Sequence, residues 1–328
     1  MKAIKTLAMA ALATAVFASC SSEDDLAQSN YPMDNVVRIM TSVDGMNTRA
    51  SYGNSTDNLN SFGFCIKNAN SEKYTYDNVK VTKEGNNWNP ATQMLWQNST
   101  TAVDILAYAP YQETTEDASG KVKVFGKTDY AFSVQADQSD VEDYSSDLIV
   151  YKQTGFTPGT KLNTNQAVNV AFTHLLSQLN LIIELRDQFN TNNNTVTKGF
   201  VTDVKVNGTI ISSKVDFSAS PISVQVDGTQ TAAITPETTG FTPAENATAH
   251  AVFNYSAIVI PQTVAAGNFS ISFKVNNTEY IWTATDAVTF EFGKKHELHL
   301  LAGKDVVQGG AISAKPWGDE TITEKETD

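Results

Sequence analysis

The chain has 328 residues, of which 41% are hydrophobic and only 18% are charged, and its formal net charge is −13. This negative charge disfavours nucleic acid and anionic membrane surfaces as partners. The composition, which is rich in Thr, Asn and Ser, is typical of a folded, β-rich protein that is long enough for two domains.

The first residues have the pattern of an export signal. Two lysines precede an apolar run over residues 7–17, which is too short to span a bilayer. The run closes on Ala18-Ser19-Cys20. Lipoprotein signal peptidase needs small residues before a cysteine whose thiol accepts diacylglycerol. We therefore predict a signal peptide over residues 1–19 and a lipid anchor on Cys20.

An acidic spacer and a possible protease site follow the anchor. Residues 21–25 resemble the acidic signal of surface-exposed lipoproteins of the Bacteroidota, and the β-branched run 35–42 predicts a strand. The pair Arg49-Ala50 lies in the polar segment 46–57. An arginine in such a segment is a natural site of proteolysis, but an ordinary surface arginine fits the spacing equally well.

Strand-like runs then recur roughly every 8–12 residues, separated by Gly, Asn, Asp and Pro. In the first half they cover residues 61–67, 79–83, 102–109, 121–125, 130–135 and 147–151. Cys65 lies inside an apolar run and has no disulfide partner if Cys20 is lipidated, so we expect a buried packing residue. Residues 155–165 contain Pro and Gly without a sustained period and predict a linker.

The second half opens with an apolar stretch over residues 168–185 whose two ends alternate like strands. Its leucine-rich middle, residues 173–179, predicts a turn or a short helix in which His174 is a packed, hydrogen-bonded side chain. Further strands are predicted at residues 200–206, 209–213, 222–226, 251–260, 269–275, 279–283 and 296–301. This spacing, with no long amphipathic helix, predicts β-sandwiches.

No group of residues predicts catalysis. His296 and His299 are three apart in a predicted strand, so they point to opposite faces, whereas the zinc motif needs two histidines four apart on a helix. The acidic segment 137–147 lacks the glycine and glutamate spacing of an EF-type calcium loop, and a solvated loop is the preferred interpretation. We expect no enzyme activity, no cofactor and no metal site.

The last segment ends in Pro316-Trp317 and is followed by a charged run over residues 319–328. An extended arm with spaced apolar residues can add to a neighbour's open sheet edge, where main-chain hydrogen bonds provide affinity. An ordinary last strand with a polar terminus fits the pattern as well. Both interpretations stay open.

Several motifs recur here in an order that resembles the fimbrillin family of Bacteroidales type V pili, and they span essentially the whole chain. They are the lipobox cysteine Cys20, the Asn-Thr-Arg-Ala step at 47–50, the Phe-Thr-His-Leu-Leu-Ser-Gln-Leu segment at 172–179, the Phe-Glu-Phe-Gly segment at 290–293 before Leu-His-Leu at 298–300, and the ending Ile312, Pro316 and Trp317.

The resemblance implies an all-β fold with two transthyretin-like β-sandwich domains in tandem after a lipoprotein leader. The boundaries are then a signal peptide at 1–19, a lipidated, removable segment at 20–49, an N-terminal β-sandwich at 50–160, and a C-terminal β-sandwich at 161–328 that carries a terminal donor arm.

The resemblance also implies a route of assembly. Family members reach the outer membrane as lipoproteins, and an arginine-specific protease removes the N-terminal segment together with one strand. The C-terminal arm of another subunit fills the groove left behind. Here cleavage falls between Arg49 and Ala50, the displaced strand lies at 35–42, and the donor arm lies within 306–322. The partners are other fimbrial subunits, in a homo- or hetero-polymer, the protease, and an unidentified receptor on a host or bacterial surface.

A second hypothesis is a monomeric surface lipoprotein that binds glycan or host protein. Trp88 and Trp96 bracket a loop, where exposed indole rings would stack on sugars. Both residues are equally well explained as packing residues in the core.

Overall fold

A computed structural model describes residues 30–43, 52, 56–113, 124–190 and 196–317. Regular structure in these residues is almost entirely β, which confirms the predicted all-β class. The first eight strands are β1 (Arg38–Val43), β2 (Ser61–Lys67), β3 (Tyr76–Glu84), β4 (Asn87–Pro90), β5 (Val103–Ala109), β6 (Tyr130–Ser133), β7 (Ile149–Phe156) and β8 (Ala167–His174).

The remaining described strands lie in the second half of the chain. They are β9 (Ser177–Leu185), β10 (Val201–Ile210), β11 (Ser212–Asp216), β12 (Ser223–Val226), β13 (Thr231–Ile234), β14 (Glu237–Thr242), β15 (Ala251–Val259), β16 (Gln262–Val264), β17 (Ser270–Val275), β18 (Thr278–Thr283), β19 (Val288–Phe290), β20 (Lys294–Ala302), β21 (Val307–Gly309) and β22 (Ser313–Pro316).

Helices are short and few in the described residues. One α-helical turn, α1, covers Pro158–Lys161, and 3₁₀ turns cover Glu72–Tyr74, Asp187–Phe189 and Lys198–Phe200. Within the part of the chain that the structure describes, none of these is long and apolar enough to cross a bilayer.

Seven of the first eight strands form one sheet, which we call the N-terminal sheet. Its order is β1-β8-β7-β5-β2-β3-β4. Neighbouring strands are antiparallel except at one edge, where β1 lies parallel to β8. Buried and exposed residues alternate along most of β8, because successive side chains of a strand point to opposite faces. The β6 strand leaves this sheet and pairs with β11.

The other strands form four smaller sheets. A six-stranded sheet combines β14-β15-β9-β20-β21 with β22, which also pairs with β20; the others are β13-β10-β17-β18, β12-β11-β6 and β16-β19. The chain leaves the N-terminal sheet after His174. The predicted linker at 155–165 covers the end of β7 and most of the connection to β8, both within that sheet. Two tandem domains that divide at residue 160 stay a prediction.

Two clusters of buried side chains fill the molecule. One lies against the N-terminal sheet and includes Phe62 and Phe172. The other, larger cluster lies between the C-terminal sheets, includes Phe253 and Phe273, and reaches the opposite face of the N-terminal sheet through Cys65. Cys65 is fully buried, as predicted, and its burial raises the pKa of the thiol.

The leucine-rich stretch at 173–179 contains no helix, so that alternative of the prediction was wrong. Only Leu175 and Leu176, both buried, separate β8 from β9. Leu175 N donates to Leu148 O at 2.9 Å, and Leu176 O accepts from Gly293 N at 3.1 Å. These long-range bonds hold a bend between the two strands. A short apolar run that is buried on both faces cannot be told from a helix by its period.

Candidate functional site

The residues predicted for lipidation and cleavage, Cys20, Arg49 and Ala50, lie outside the described residues, so both modifications stay predictions. The structure does describe the chain on either side of the cleavage step. Strand β1 ends at Val43, and Tyr52 lies just beyond Ala50.

The strand that the resemblance marks as removable, at residues 35–42, corresponds to β1. All six of its residues have parallel partners in β8. Ile39 and Val43 are buried in the N-terminal core, whereas Met40 between them is 42% exposed. β1 is therefore a component of the core although it lies at the edge of its sheet.

The residues just before β1 contact the segment after β4, the strand at the opposite edge of the N-terminal sheet. Val37 N donates to Met94 O at 3.0 Å, and Trp96 N donates to Asn35 O at 2.8 Å. A groove of about 940 Å³ runs between β1 and the β3–β4 hairpin and is lined in part by Met94 and Trp88. The N-terminal stretch thus spans from β8 to the segment after β4.

Arg38, the other arginine near the N-terminus, is a poor protease site. Its guanidinium forms an ion pair with Asp34 at 2.6 Å, and its backbone belongs to the β1–β8 ladder. A protease needs an extended, accessible backbone, which a paired strand does not offer. This placement disfavours Arg38 as a point of cleavage.

The described end of the chain, residues 306–317, which we call the C-terminal arm, folds back on its own sheet. β21 pairs antiparallel with one end of β20 and β22 with the other. Every residue of β22 is exposed, but Trp317 directly after it is only 9% exposed. The end of the arm is therefore held by a backbone ladder and one buried indole.

Trp317 packs against a buried histidine. Its ring is parallel to that of His174, with 4.1 Å between the centroids and 3° between the planes. His174 Nδ1 lies 2.9 Å from Asp147 Oδ1, and the other oxygen, Asp147 Oδ2, accepts a hydrogen bond from Tyr52 N at 2.9 Å. We call Tyr52, Asp147, His174 and Trp317 the His174 cluster.

The His174 cluster joins four separate parts of the chain. Tyr52 follows the predicted cleavage step, Asp147 precedes β7, His174 ends β8, and Trp317 ends the described arm. The ring of Tyr52 also stacks on Tyr144, with 5.4 Å between the centroids. Burial raises the pKa of the Tyr52 phenol, which keeps the hydroxyl neutral.

The structure confirms the expectation for His174 and corrects the one for Asp147. His174 is packed and hydrogen-bonded, as predicted, but Asp147 is fully buried instead of lying in a solvated loop. The acidic segment remains exposed at Asp137 and Asp140, where carboxylate oxygens accept hydrogen bonds from backbone N–H groups two residues on. The apolar run directly after Asp147 was the signal that its carboxylate enters the core.

The other histidines also follow the prediction, since His296 and His299 point to opposite faces of β20. His296 is buried, its Nε2 accepts a hydrogen bond from Glu291 N at 2.9 Å, and burial lowers the pKa of its ring. His299 Nε2 lies on the outer face, 2.6 Å from Glu184 Oε2. The other oxygen of Glu184 contacts His250. In the residues that the structure describes, no three His, Cys, Asp or Glu side chains are arranged to hold a metal.

Comparison with known protein families identifies the family of this chain. The family model described as fimbrillin-like matches residues 48–317, which covers β2 to β22 and the whole His174 cluster. The chain belongs to the fimbrillin-like family. This family consists of structural proteins of fimbriae, not of enzymes, so the resemblance predicted from the sequence motifs is confirmed. A search of curated protein sequences gave no match.

Solved structures share the fold of this fimbrillin-like chain at low sequence identity. A proposed cell adhesion protein from Bacteroides uniformis has a TM-score of 0.55 and 17% identity over 87% of this chain and 100% of its own. One from Bacteroides ovatus has a TM-score of 0.59 and 13% identity over 87% and 99%. A fimbrial protein from Bacteroides vulgatus has a TM-score of 0.51 and 17% identity over 86% and 99%.

The two tryptophans considered for glycan stacking lie in the N-terminal part of the fimbrillin-like fold. Trp96 is only 2% exposed and stacks on Phe156 with 5.7 Å between the centroids. Trp88 is half-buried, and its ring lies edge-on to Phe62 at 5.1 Å. Trp96 has no free face for a sugar, and both residues pack against the N-terminal core.

Proposed function

We propose that this fimbrillin-like protein is a pilin subunit of a cell-surface fimbria that assembles by strand exchange after proteolysis. It is exported as a lipoprotein, and lipid on Cys20 anchors the precursor to the outer membrane. An arginine-specific protease cuts between Arg49 and Ala50. The segment removed includes β1, and the C-terminal arm of another fimbrial subunit takes its place. The resulting fimbria supports adhesion.

The position of β1 carries this proposal. It is an edge strand with a single ladder within the described residues, to β8, and it contributes Ile39 and Val43 to the core. Its removal with residues 35–37 also breaks two backbone bonds to Met94 and Trp96. Without β1, the outer backbone groups of β8 lose their partners and an apolar groove opens beside them. An unpaired edge next to a groove is a template for an added strand.

The C-terminal arm supports the donor half of the proposal. β21 has three residues and β22 has four, and the only sheet partner of either in the described chain is β20. Short strands whose side chains are exposed bury little apolar surface, so they can leave their sheet at small cost.

An arginine-specific protease tests the assembly route directly. We expect purified full-length protein to give a new N-terminus at Ala50 and then a ladder of polymers on denaturing gels. The Arg49→Ala variant is expected to stay uncut and monomeric, while Arg38→Ala, which removes the other arginine of the N-terminal segment and only an exposed ion pair, is the matched control and is expected to be cut and to polymerise like the wild type. Cleavage at Arg49 that yields only monomer contradicts strand exchange.

Lipidation needs a separate test in cells. Feeding a labelled fatty acid is expected to label the wild-type precursor in the outer-membrane fraction, because the Cys20 thiol accepts the lipid. The Cys20→Ser variant is expected to lose the label, and Cys65→Ser keeps it. Equal labelling of the wild type and the Cys20 variant contradicts the anchor.

A further inference from the structure

The two segments that move in the proposed assembly meet at one place. Tyr52 lies three residues after Arg49, and Trp317 is the buried residue at the described end of the C-terminal arm. No strand pairing joins these two residues directly. Both are instead attached to the buried pair of Asp147 and His174, one on each side.

Trp317 adds a buried side chain to the last strand of the arm. The residues of β22 are exposed, so their hold on β20 is confined to backbone hydrogen bonds. The parallel stack on His174 adds aromatic contact and removes the indole from water. Loss of that stack leaves the end of the arm as a four-residue edge strand, which frays readily.

The stack depends on the orientation of the His174 ring, and Asp147 contacts that ring at Nδ1. The carboxylate of Asp147 is fully buried and uses one oxygen for His174 and the other for the backbone N–H of Tyr52. A buried carboxylate that loses one donor must find another or admit water. Either response changes the bond to His174 and tilts the ring under Trp317.

Cleavage is expected to reduce the restraint that the flanking chain places on Tyr52. Before cleavage, Tyr52 is flanked by β1 on one side and by the chain leading to β2 on the other. After a cut at Arg49 it is the third residue of a free end, whose new ammonium group prefers water, and chain termini fray. The cut therefore weakens the Tyr52 hydrogen bond to Asp147 without touching the arm.

We propose that the His174 cluster is an autoinhibitory clasp. Trp317 retains the C-terminal arm on its own subunit, Tyr52 keeps His174 oriented while the N-terminal segment is attached, and cleavage after Arg49 releases both. The clasp thus links the opening of the β1 groove to the release of the arm that fills a neighbour's groove. This inference rests on the proposed function and adds the contact that retains the arm.

Amide hydrogen exchange over residues 313–317 in the uncut, full-length chain tests the clasp. We expect Trp317→Ala to speed exchange there by about tenfold, while Trp317→Phe, which keeps a stacked ring, stays near the wild-type rate. Val306→Ala is the matched control, since it changes a half-exposed arm residue outside the His174 cluster, and it is expected to leave the rate unchanged. Exchange in β15, a mostly buried strand inside its sheet, is the internal reference for global unfolding.

Two variants of Tyr52 separate the clasp from a simple packing role for Trp317. Tyr52→Ala removes the ring that stacks on Tyr144, and Tyr52→Pro also removes the N–H that Asp147 accepts. We expect both to speed exchange over residues 313–317, the proline variant by about tenfold. Unchanged exchange in both variants overturns the clasp, even where Trp317→Ala loosens the arm.

Cleavage gives the final comparison. Monomer isolated by gel filtration directly after protease treatment is expected to exchange about tenfold faster over residues 313–317 than the uncut chain. An equal rate overturns the clasp, whereas polymer ladders from the same sample still uphold strand exchange. Faster exchange without polymers supports the clasp and contradicts strand exchange, so the two proposals fail separately.

Discussion

Lys152 Nζ donates a hydrogen bond to the carbonyl oxygen of Phe217 at 2.8 Å, which ties β7 of the N-terminal sheet to the turn after β11. The same ammonium group donates to the carbonyls of Ser218 and Ala219 at 3.0 and 2.7 Å. Burial lowers the pKa of Lys152, because the charged group has given up part of its water. The three carbonyls replace that water.

We expect Lys152→Met to lower the free energy of unfolding by about 1.5–3 kcal/mol, because three carbonyls lose a charged donor. Urea denaturation measures the change. Lys161→Met is the matched control, since Lys161 donates to a single exposed carbonyl, that of Gly155, at 2.8 Å. Its effect is expected to stay within about 0.5 kcal/mol. Equal losses of unfolding free energy in the two variants contradict a stabilising link between β7 and the turn after β11.

The second prediction concerns the role of β1 in the core. Ile39→Ala is expected to destabilise the uncut chain by about 2–5 kcal/mol, since Ile39 is buried. Met40→Ala, at the exposed neighbouring position, is expected to cost about 0.5 kcal/mol or less. After cleavage at Arg49 and removal of the released segment, the two variants become identical to wild type. A difference that survives this step shows that β1 was not removed.

The third prediction concerns the pairing of Asp147 with His174. Asp147→Leu and His174→Leu are each expected to destabilise the chain by about 3–5 kcal/mol, because each leaves a buried polar partner behind. The double variant is expected to lose less than the sum of the single losses. Urea denaturation of all four chains completes the cycle, and additive losses contradict a direct interaction.

The fourth prediction is a pH dependence from His296. Its folded pKa is lowered by burial, so below the unfolded value of about 6.5 the unfolded chain binds a proton that the folded chain does not. Stability therefore falls as the pH drops from about 6.5 through the folded pKa. Thermal unfolding between about pH 7.5 and pH 5 measures this, and His296→Gln, which keeps an acceptor for Glu291 N, is expected to flatten the curve. A parallel decline in both chains contradicts the role of His296.

The alternation of apolar and polar residues was enough to predict strands that bury one face. The strand at 61–67 was predicted with the bounds that β2 has, and the buried Cys65 and the opposed His296 and His299 followed from alternation along a strand. In each case neighbouring residues contain the information. The four-residue strands β6 and β12 were predicted, but β4 and β16 were not, because so few residues contain little periodicity.

Long-range pairing could not be predicted in the same way. Nothing in the residues of β1 indicates a parallel partner in β8, and nothing around Trp317 indicates a stack on His174. Asp147 was assigned to solvent because its acidic neighbours dominate the local composition, although its partners come from distant parts of the chain. Such contacts depend on topology, which a single sequence describes only through resemblance to a family.

The separate positions of β8 and the C-terminal arm have a consequence for polymer shape. In the proposed strand exchange, a contact between the arm of one copy and the β8 edge of the next would join two different surfaces, so it would not close into a symmetric pair. Each added copy presents the same unused edge again. Filaments built this way are polar, with a bare β8 edge at one end and a spare arm at the other, and they elongate by unlike chemistry at their two ends.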